Sequence, residues 1–328
     1  SSIPGPMDRP SVPRFMLQGL ALVALFVGAT AALEEGISLF GFDIPMSPHA
    51  GFEKNPFFAF NQWINQMILP PAMLQYFEDR MTIKQAHYSV TYLRDFVAGT
   101  LLYYMVAGLW HLWIYHVRGE RYFKKQGATM PSREIILDQI QLAQLSMFVY
   151  AGLPVFSEWL IEEGYTLAYW SIDEIGGWPI YVAYTAAYLA CVEIGIYWMH
   201  RTLHTNKFLY KYVHGLHHKY NKPELLSPWA SVAFNPLDGI LQACPYVICL
   251  FIVPCHYLTH VLMLFFTAVW ATNIHDALDG NTEPIMGSKY HTKHHTHYHV
   301  NFGQFFIFCD WFWGTLSAPG DSRRMKLA

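Results

Sequence analysis

Apolar residues fall in long blocks with few or no charges along this chain, not in the alternation of strands or the one-sided stripe of surface helices. The first block, residues 15–33, carries no charge and is long enough to cross a bilayer core of about 30 Å as a helix. A second runs from Phe96 to Tyr115, a third and more polar one lies near 140–160, and a fourth covers 178–199. The run from Gly239 to Ile274 reads as two crossings joined near Pro254. Residues 55–77 are apolar but interrupted, and are expected to lie at the membrane interface; if they span, the N-terminal side must be redrawn. No strand pattern of any length is present, so the predicted class is all-α: a polytopic membrane helix bundle. A signal peptide is the other reading of 15–33, with Ala29-Thr30-Ala31 imitating a cleavage site, although the apolar run exceeds a typical signal core.

Composition supports the membrane reading. Hydrophobic residues make up 53% and charged residues only 14%, against roughly 25% charged in soluble domains. A soluble chain would have to bury each of these helices on every face, which 328 residues could hardly do. Cys191, Cys244, Cys249, Cys255 and Cys309 sit mostly in apolar runs without CxxC spacing, so they are neither a disulfide framework nor a zinc ribbon. The net charge of −3 comes without a basic patch, which argues against a nucleic-acid partner and leaves membrane lipids as the surroundings.

Charge distribution orients the bundle. Arg118, Arg121, Lys124, Lys125 and Arg133 follow the second crossing, whereas Glu162, Glu163, Asp173 and Glu174 follow the third. Counting Lys and Arg in short loops puts 116–135 in the cytosol. Everything just after His200 then falls on the cytosolic side, and the 239–274 hairpin returns His275 to it. The expected organisation is a loose proline-containing tail at 1–14, a single membrane-embedded domain at 15–318, and a polar tail at 319–328. The catalytic core would be 178–318, with a cytosolic cap drawn from 116–140, 200–238 and 275–315.

That cap is rich in histidine. Of seventeen histidines, most lie after position 199. They form His200-Arg201-Thr202-Leu203-His204, His214-Gly215-Leu216-His217-His218, a lone His275, and His291-Thr292-Lys293-His294-His295. Intervals of three and four place side chains on one helix face about 5–6 Å apart at Cβ, where two imidazoles can share a metal. Nine candidates are too many for one ion and suit two; iron and zinc both accept imidazole. His49, His87, His111 and His116 are isolated and read as packing or interfacial residues; His256 and His260 read as buried and hydrogen-bonded within the hairpin. His297 and His299 extend the last block, and His299 is a candidate ligand or supporting residue.

Ligating histidines usually donate their other N–H to a carboxylate or carbonyl. Glu193, seven residues before His200 on the same helical face, is a candidate for that role, as are Asp238, Asp276 and Asp310; a loop cap is the other reading of Asp310.

No Ser-His-Asp arrangement, phosphate-binding glycine loop or dinucleotide fingerprint can be made out, so the metal site is the only catalytic asset. A zinc hydrolase would need one open metal with three ligands and a general base. Two irons that activate O2 can take hydrogen from an unreactive CH2, which a Lewis acid cannot. The chain has no flavin or haem motif, so electrons must come from a partner docking on the cytosolic face.

At these residues the chain resembles the fatty acid hydroxylase / sterol desaturase superfamily, whose pattern is HxxxH, HxxHH, a lone His and HxxHH. The words around them are similar to those of plant-type Δ7-sterol C-5 desaturases (lathosterol oxidases). They include Glu193-Ile194-Gly195-Ile196-Tyr197-Trp198-Met199-His200-Arg201, Leu209-Tyr210-Lys211-Tyr212-Val213-His214, Leu226-Ser227-Pro228, Asp238-Gly239-Ile240-Leu241-Gln242 and Asn273-Ile274-His275-Asp276. The likeness covers about 178–318; the N-terminal half matches only in hydrophobic layout.

The resemblance implies an endoplasmic-reticulum enzyme with two irons held by the nine histidines, O2 as co-substrate, and electrons from NADH-cytochrome b5 reductase and cytochrome b5. It would place a C5=C6 double bond in a Δ7-sterol. Two departures bear on the outcome. The branch usually has Phe-His-Pro where this chain has Phe234-Asn235-Pro236, leaving Asn235 as a poorer ligand but a hydrogen-bond donor. The family often has a histidine just before Asn-Tyr-Gly, where Val300 precedes Asn301-Phe302-Gly303 and His299 stands one place earlier. A hydroxylase of a sterol or fatty acyl chain would use the same ligands, so the residues alone leave alkene and alcohol open. A membrane metal-binding or transport protein is the remote alternative; it would need ligands along a pathway near the bilayer midplane, and these gather at helix ends. Zinc can replace iron in purified protein, since it ranks above ferrous iron for such ligands.

Overall fold

A computed structural model describes residues 12–39, 55–119, 130–276 and 282–319 of the chain. Arg121, Lys124 and Lys125 of the basic loop, His49, and most of both expected tails lie outside the described residues.

Helix α1 (Val12–Leu39) is followed by α2 (Pro56–Ile68) and α3 (Pro71–Glu78). Asn55 caps α2 through Oδ1, which accepts from Phe57 N at 2.9 Å, and Pro56 takes the first helical position, where no N–H is needed. Next come α4 (Ile83–His111), extended by a π turn at Leu112–Val117, then α5 (Arg133–Tyr150) and α6 (Gly152–Glu162), which meet at Ala151. A two-residue strand β1 (Ala168–Tyr169) precedes α7 (Trp178–Thr205) and the short α8 (Lys207–Tyr212). Then α9 (Pro236–Cys249), strand β2 (Cys255–His256), α10 (Tyr257–Ile274), α11 (Ser288–His297) and α12 (Phe308–Phe312) complete the described elements. The only strands among the described residues, β1 and β2, pair in parallel over two residues, so the expected all-α class holds.

Five stretches are long and apolar enough to cross a membrane: Met16–Leu33, Ile83–Val117, Arg133–Glu162, Trp178–Thr205 and Tyr257–Ile274. The chain is a multi-pass helical membrane protein. Two boundaries differ from expectation. The crossings expected at 96–115 and 140–160 belong to longer spans, because α4 starts earlier and α5 and α6 join into one. The 239–274 run does not make two full crossings. Its first arm, α9, has 14 residues, or about 21 Å at 1.5 Å per residue, short of the bilayer core. The helix ends at Cys249, and Val253-Pro254 leads into β2. The turnback nonetheless brings His275 to the end where α9 begins, as expected.

Helices α2 and α3 have 13 and 8 residues, so neither can span. They sit at the end of the bundle opposite the histidines. There Asn55 Nδ2 donates to Glu162 O at 2.8 Å, Asn61 Nδ2 to Glu162 Oε1 at 2.7 Å, and Tyr257 OH to Asn61 Oδ1 at 2.9 Å. Arg94 joins this buried cluster, donating to Asn61, Asp95 and Glu158. Aromatic contacts among Phe57, Phe60, Trp170 and Tyr257 fill the space beneath it. The central packing is α7 on α9, with α1 laid against α7 and α10. Gly195 makes the first contact possible, since a Cβ there would come within 2.8 Å of Pro245.

Candidate metal centre

At the histidine end, α7 contributes His200 and His204 from its last turns. The next block lies on a 3-10 turn, His214–Lys219, not on an α-helix. The C-cap of α10 is His275, and α11 carries the last block. All nine side chains are buried, none more than 5% exposed.

They divide into two groups. His200, His204, His214, His218 and His294 form one, and His217, His275, His291 and His295 the other; within each, the candidate ligand atoms lie within 4.8 Å of one another. In all three blocks the i,i+4 pair shares a group, and the remaining histidine, His217 or His294, crosses to the other. Neighbours in sequence thus serve different groups.

The donor atoms fit metal ions. Facing Nε2 atoms approach to 3.1 Å for His218 with both His204 and His214, 3.0 Å for His291 with His275, and 3.1 Å for His295 with His291. Two nitrogens about 2.1 Å from one ion and at right angles are about 3.0 Å apart. Nε2 of His200 and of His294 is buried without a hydrogen-bond partner, while Nδ1 of each meets a backbone carbonyl. Burial lowers the pKa of His214 to about 3 and of His275 to about 4, so both are neutral at neutral pH with lone pairs free for a metal.

The groups that hold the outer ring nitrogens are mostly backbone. Nδ1 of His200 reaches Phe302 O at 3.0 Å, that of His294 reaches Val300 O at 2.8 Å, and that of His275 reaches Ala271 O at 2.7 Å. The carboxylate of Asp238 meets His214 Nδ1 at 2.8 Å, the arrangement expected of such a residue.

The other proposed supports are placed differently. Glu193 accepts backbone N–H groups of Gln304, Phe305 and Phe306 at 3.0–3.3 Å, and Asp310 accepts those of Phe302 and Gly303 at 2.8 Å. Two carboxylates therefore hold five consecutive N–H groups of the loop whose Phe302 carbonyl orients His200. The loop-cap reading of Asp310 is the one the structure supports, and Glu193 acts on backbone in the same way. Asn235 is an N-cap, with Oδ1 accepting from Leu237 N at 2.9 Å, because the chain enters α9 there. His299 is exposed and belongs to neither group. Asp276 is buried near Tyr115.

Two features left little trace in the sequence. Asn301, in a left-handed conformation at φ 59°, is fully buried and bonds Tyr290 O, Ser317 O and Ser317 N, which pins the carbonyl loop. Its neighbour carbonyls have no residue-type signature at all. The second feature is a cavity of about 370 Å³ between α4, α5, α6, α9 and α10. It opens onto His200, His217, His275 and His291, so it touches both groups, and its remaining lining is mainly apolar. Val261 and Ile274 both line it, so it extends about 20 Å along α10. Of the isolated histidines, His87 bonds Glu162, and His260 bonds Tyr188 and Ser157; both are buried outside the two groups. The described cysteines are free thiols.

Fold and site define a class: a polytopic helical membrane protein with two adjoining all-histidine groups able to hold metal, at the mouth of a long apolar cavity. Comparison with known proteins names the family. The fatty acid hydroxylase profile matches residues 185–315. A Delta(7)-sterol-C5(6)-desaturase of Nicotiana tabacum is 45% identical over 236 residues, 72% of this chain and 86% of that protein. A lathosterol oxidase of Rattus norvegicus is 33% identical over 232 residues, 67% of this chain and 72% of the relative. No solved structure matches the chain. The chain belongs to the fatty acid hydroxylase family, in company with sterol C-5 desaturases.

Proposed function

We propose that this chain is an O2-dependent oxidoreductase of sterol biosynthesis that introduces a C5=C6 double bond into a Δ7-sterol. The observation that carries the reading is the junction of the two histidine groups with the narrow apolar cavity. Histidine nitrogens able to bind metal would there stand against an elongated, mainly apolar space that suits a rigid lipid. The names of the relatives point to the same substrate class.

In this reading His200, His204, His214, His218 and His294 hold one iron, and His217, His275, His291 and His295 the other. When bound, the two irons supply the reduction of O2 and the removal of hydrogen from carbon. The reaction balances as Δ7-sterol, O2, two electrons and two protons giving the Δ5,7-sterol and two waters. The protein's own part is to bind and orient. Phe302 O, Val300 O, Ala271 O and Asp238 fix the imidazole planes, and the cavity wall keeps water from the reacting carbons. The electrons come from cytochrome b5 and its NADH-dependent reductase at a cytosolic histidine end, with the bundle in the endoplasmic-reticulum membrane.

Expression in yeast lacking its own sterol C-5 desaturase tests this, with sterols read by gas chromatography–mass spectrometry. Δ5,7-sterols should appear. Protein present in the membrane with Δ7-sterols unchanged overturns the sterol C-5 assignment; a hydroxylated lipid in the same extract would make it a hydroxylase.

A further inference from the structure

We propose that Gln242 is a positioning residue that accepts a hydrogen bond from the hydroxyl group of the substrate; the inference rests on the sterol reading above. Gln242 stands one turn after Asp238 on α9 and lines the cavity. Its Nε2 donates to Asp238 Oδ1 at 2.9 Å, and Asp238 in turn holds His214. The amide oxygen, Oε1, has no partner among the described residues. Gln242 thus brings to the cavity lining an amide oxygen that no described protein group uses, with its amide plane held through Nε2.

Substrate chemistry decides which end of the cavity must be polar. In a 3-hydroxysterol the hydroxyl oxygen is three bonds from C5, a separation of about 4 Å. A sterol that offers C5 and C6 to the histidines must therefore bring its hydroxyl to the histidine end, with its hydrocarbon tail toward the other. Asp95 and Glu158, both engaged by Arg94, line the far end and cannot meet that hydroxyl.

Near the histidines the other polar lining groups are less suitable. Thr272 Oγ1 donates to Ala268 O at 3.1 Å and to Ser231 Oγ at 3.4 Å. Its oxygen can still accept but its side chain is shorter, so Thr272→Val is a second control that should keep the wild-type discrimination. Gln304 also lines the cavity, but its hydrogen bonds are made by backbone: N to Glu193, and O accepting from Trp270 Nε1 at 2.8 Å. Its side chain is not held. An acceptor fixed before the ligand arrives loses less rotamer freedom on binding, which favours Gln242.

The test is binding of the fluorescent sterol dehydroergosterol and of its 3-methyl ether, which keeps the oxygen but lacks the proton to donate. Purified metal-loaded wild type, Gln242→Leu, Gln242→Met, Gln304→Leu and Thr272→Val are compared. Wild type should bind the ether about fivefold or more weakly than the alcohol, the scale of one hydrogen bond. Both Gln242 variants should bind the two compounds equally, and Gln304→Leu and Thr272→Val should keep the wild-type ratio. The ratio is internal to each sample, so a partly unfolded variant does not imitate the result, and the two variants differ in shape. Discrimination that survives in either Gln242 variant, or disappears in Gln304→Leu or Thr272→Val, overturns the assignment. Equal binding by wild type overturns it while leaving the sterol reading intact; no binding of either compound by wild type overturns both.

Discussion

The carboxylate of Asp238 lies 2.8 Å from Nδ1 of His214, and both side chains are fully buried. One residue on α9 thereby sets the tautomer and plane of a histidine on a 3-10 turn 24 positions earlier, so that Nε2 of His214 faces His204 and His218. Replacing Asp238 with Asn keeps shape but removes the charge that strengthens this bond. Removing such a support typically costs about 10–100-fold in metal affinity or activity. Metal content by mass spectrometry and turnover should fall together in Asp238→Asn, and wild-type values of both would show that the contact does not orient the ligand.

His217 and His218 are adjacent yet belong to different groups. His217→Ala and His218→Ala should each abolish turnover and leave roughly half of the wild-type metal, provided the two groups load independently. If either variant keeps full activity, the two-ion assignment fails.

Glu193 holds three N–H groups of the 304–306 segment. Glu193→Gln leaves only one good acceptor oxygen and turns an amide NH2 toward those donors. A buried donor left unsatisfied costs about 1–3 kcal/mol. Thermal unfolding in detergent should shift downward, and turnover should drop as the Phe302 carbonyl loses its fixed place. An unchanged melting temperature would mean that the loop is held by Asp310 and Asn301 alone.

Asn235 offers a contrast, because it caps a helix instead of supporting a metal. Asn235→Ala should cost about 1 kcal/mol of stability, the usual value of an N-cap, with metal content unchanged. Loss of metal with stability preserved would restore it as a ligand.

Acid should destabilise the chain at mild pH. Burial is the first cause lowering His214 to about 3 and His275 to about 4, and it holds His217, His218, His291, His294 and His295 well below the ordinary range. The unfolded chain takes up protons near the usual histidine value of about 6.5, which the folded chain refuses until far lower. The unfolded state therefore binds more protons in this window. Stability is full above about pH 6.5 and falls as pH drops from there toward 3–4. Bound metal acts in the same direction, since protons compete for the same lone pairs. Melting temperatures measured from about pH 8 down to about pH 5 should fall on the acid side; a flat profile would contradict the buried neutral cluster.

Much of this was legible in residue order because the relevant physics is local. Uncharged runs such as 15–33 have one stable solution in a bilayer, a hydrogen-bonded helix. Histidines three or four apart on a helix share a face, so the blocks could be read as metal-binding from spacing, although spacing alone does not choose between His294 and His295 as the partner of His291. The break at Pro70 and Pro71 is visible in the sequence, and it divides 55–77 into two helices too short to span.

What the sequence could not determine depends on which distant surfaces meet. Consecutive side chains leave a helical backbone in different directions, so whether His217 and His218 serve one ion or two follows from how the turn seats between α7, α10 and α11. The carboxylates divide for the same reason: Glu193, Asp238 and Asp310 look alike in sequence, but only Asp238 faces an imidazole, while the other two face peptide N–H groups. The depth of α9 and the cavity it borders likewise arise from packing, which no local pattern encodes. Residue types set the chemistry that is available; the tertiary contacts, made between segments more than a hundred residues apart such as Glu193 and Phe306, decided which atom each of them serves.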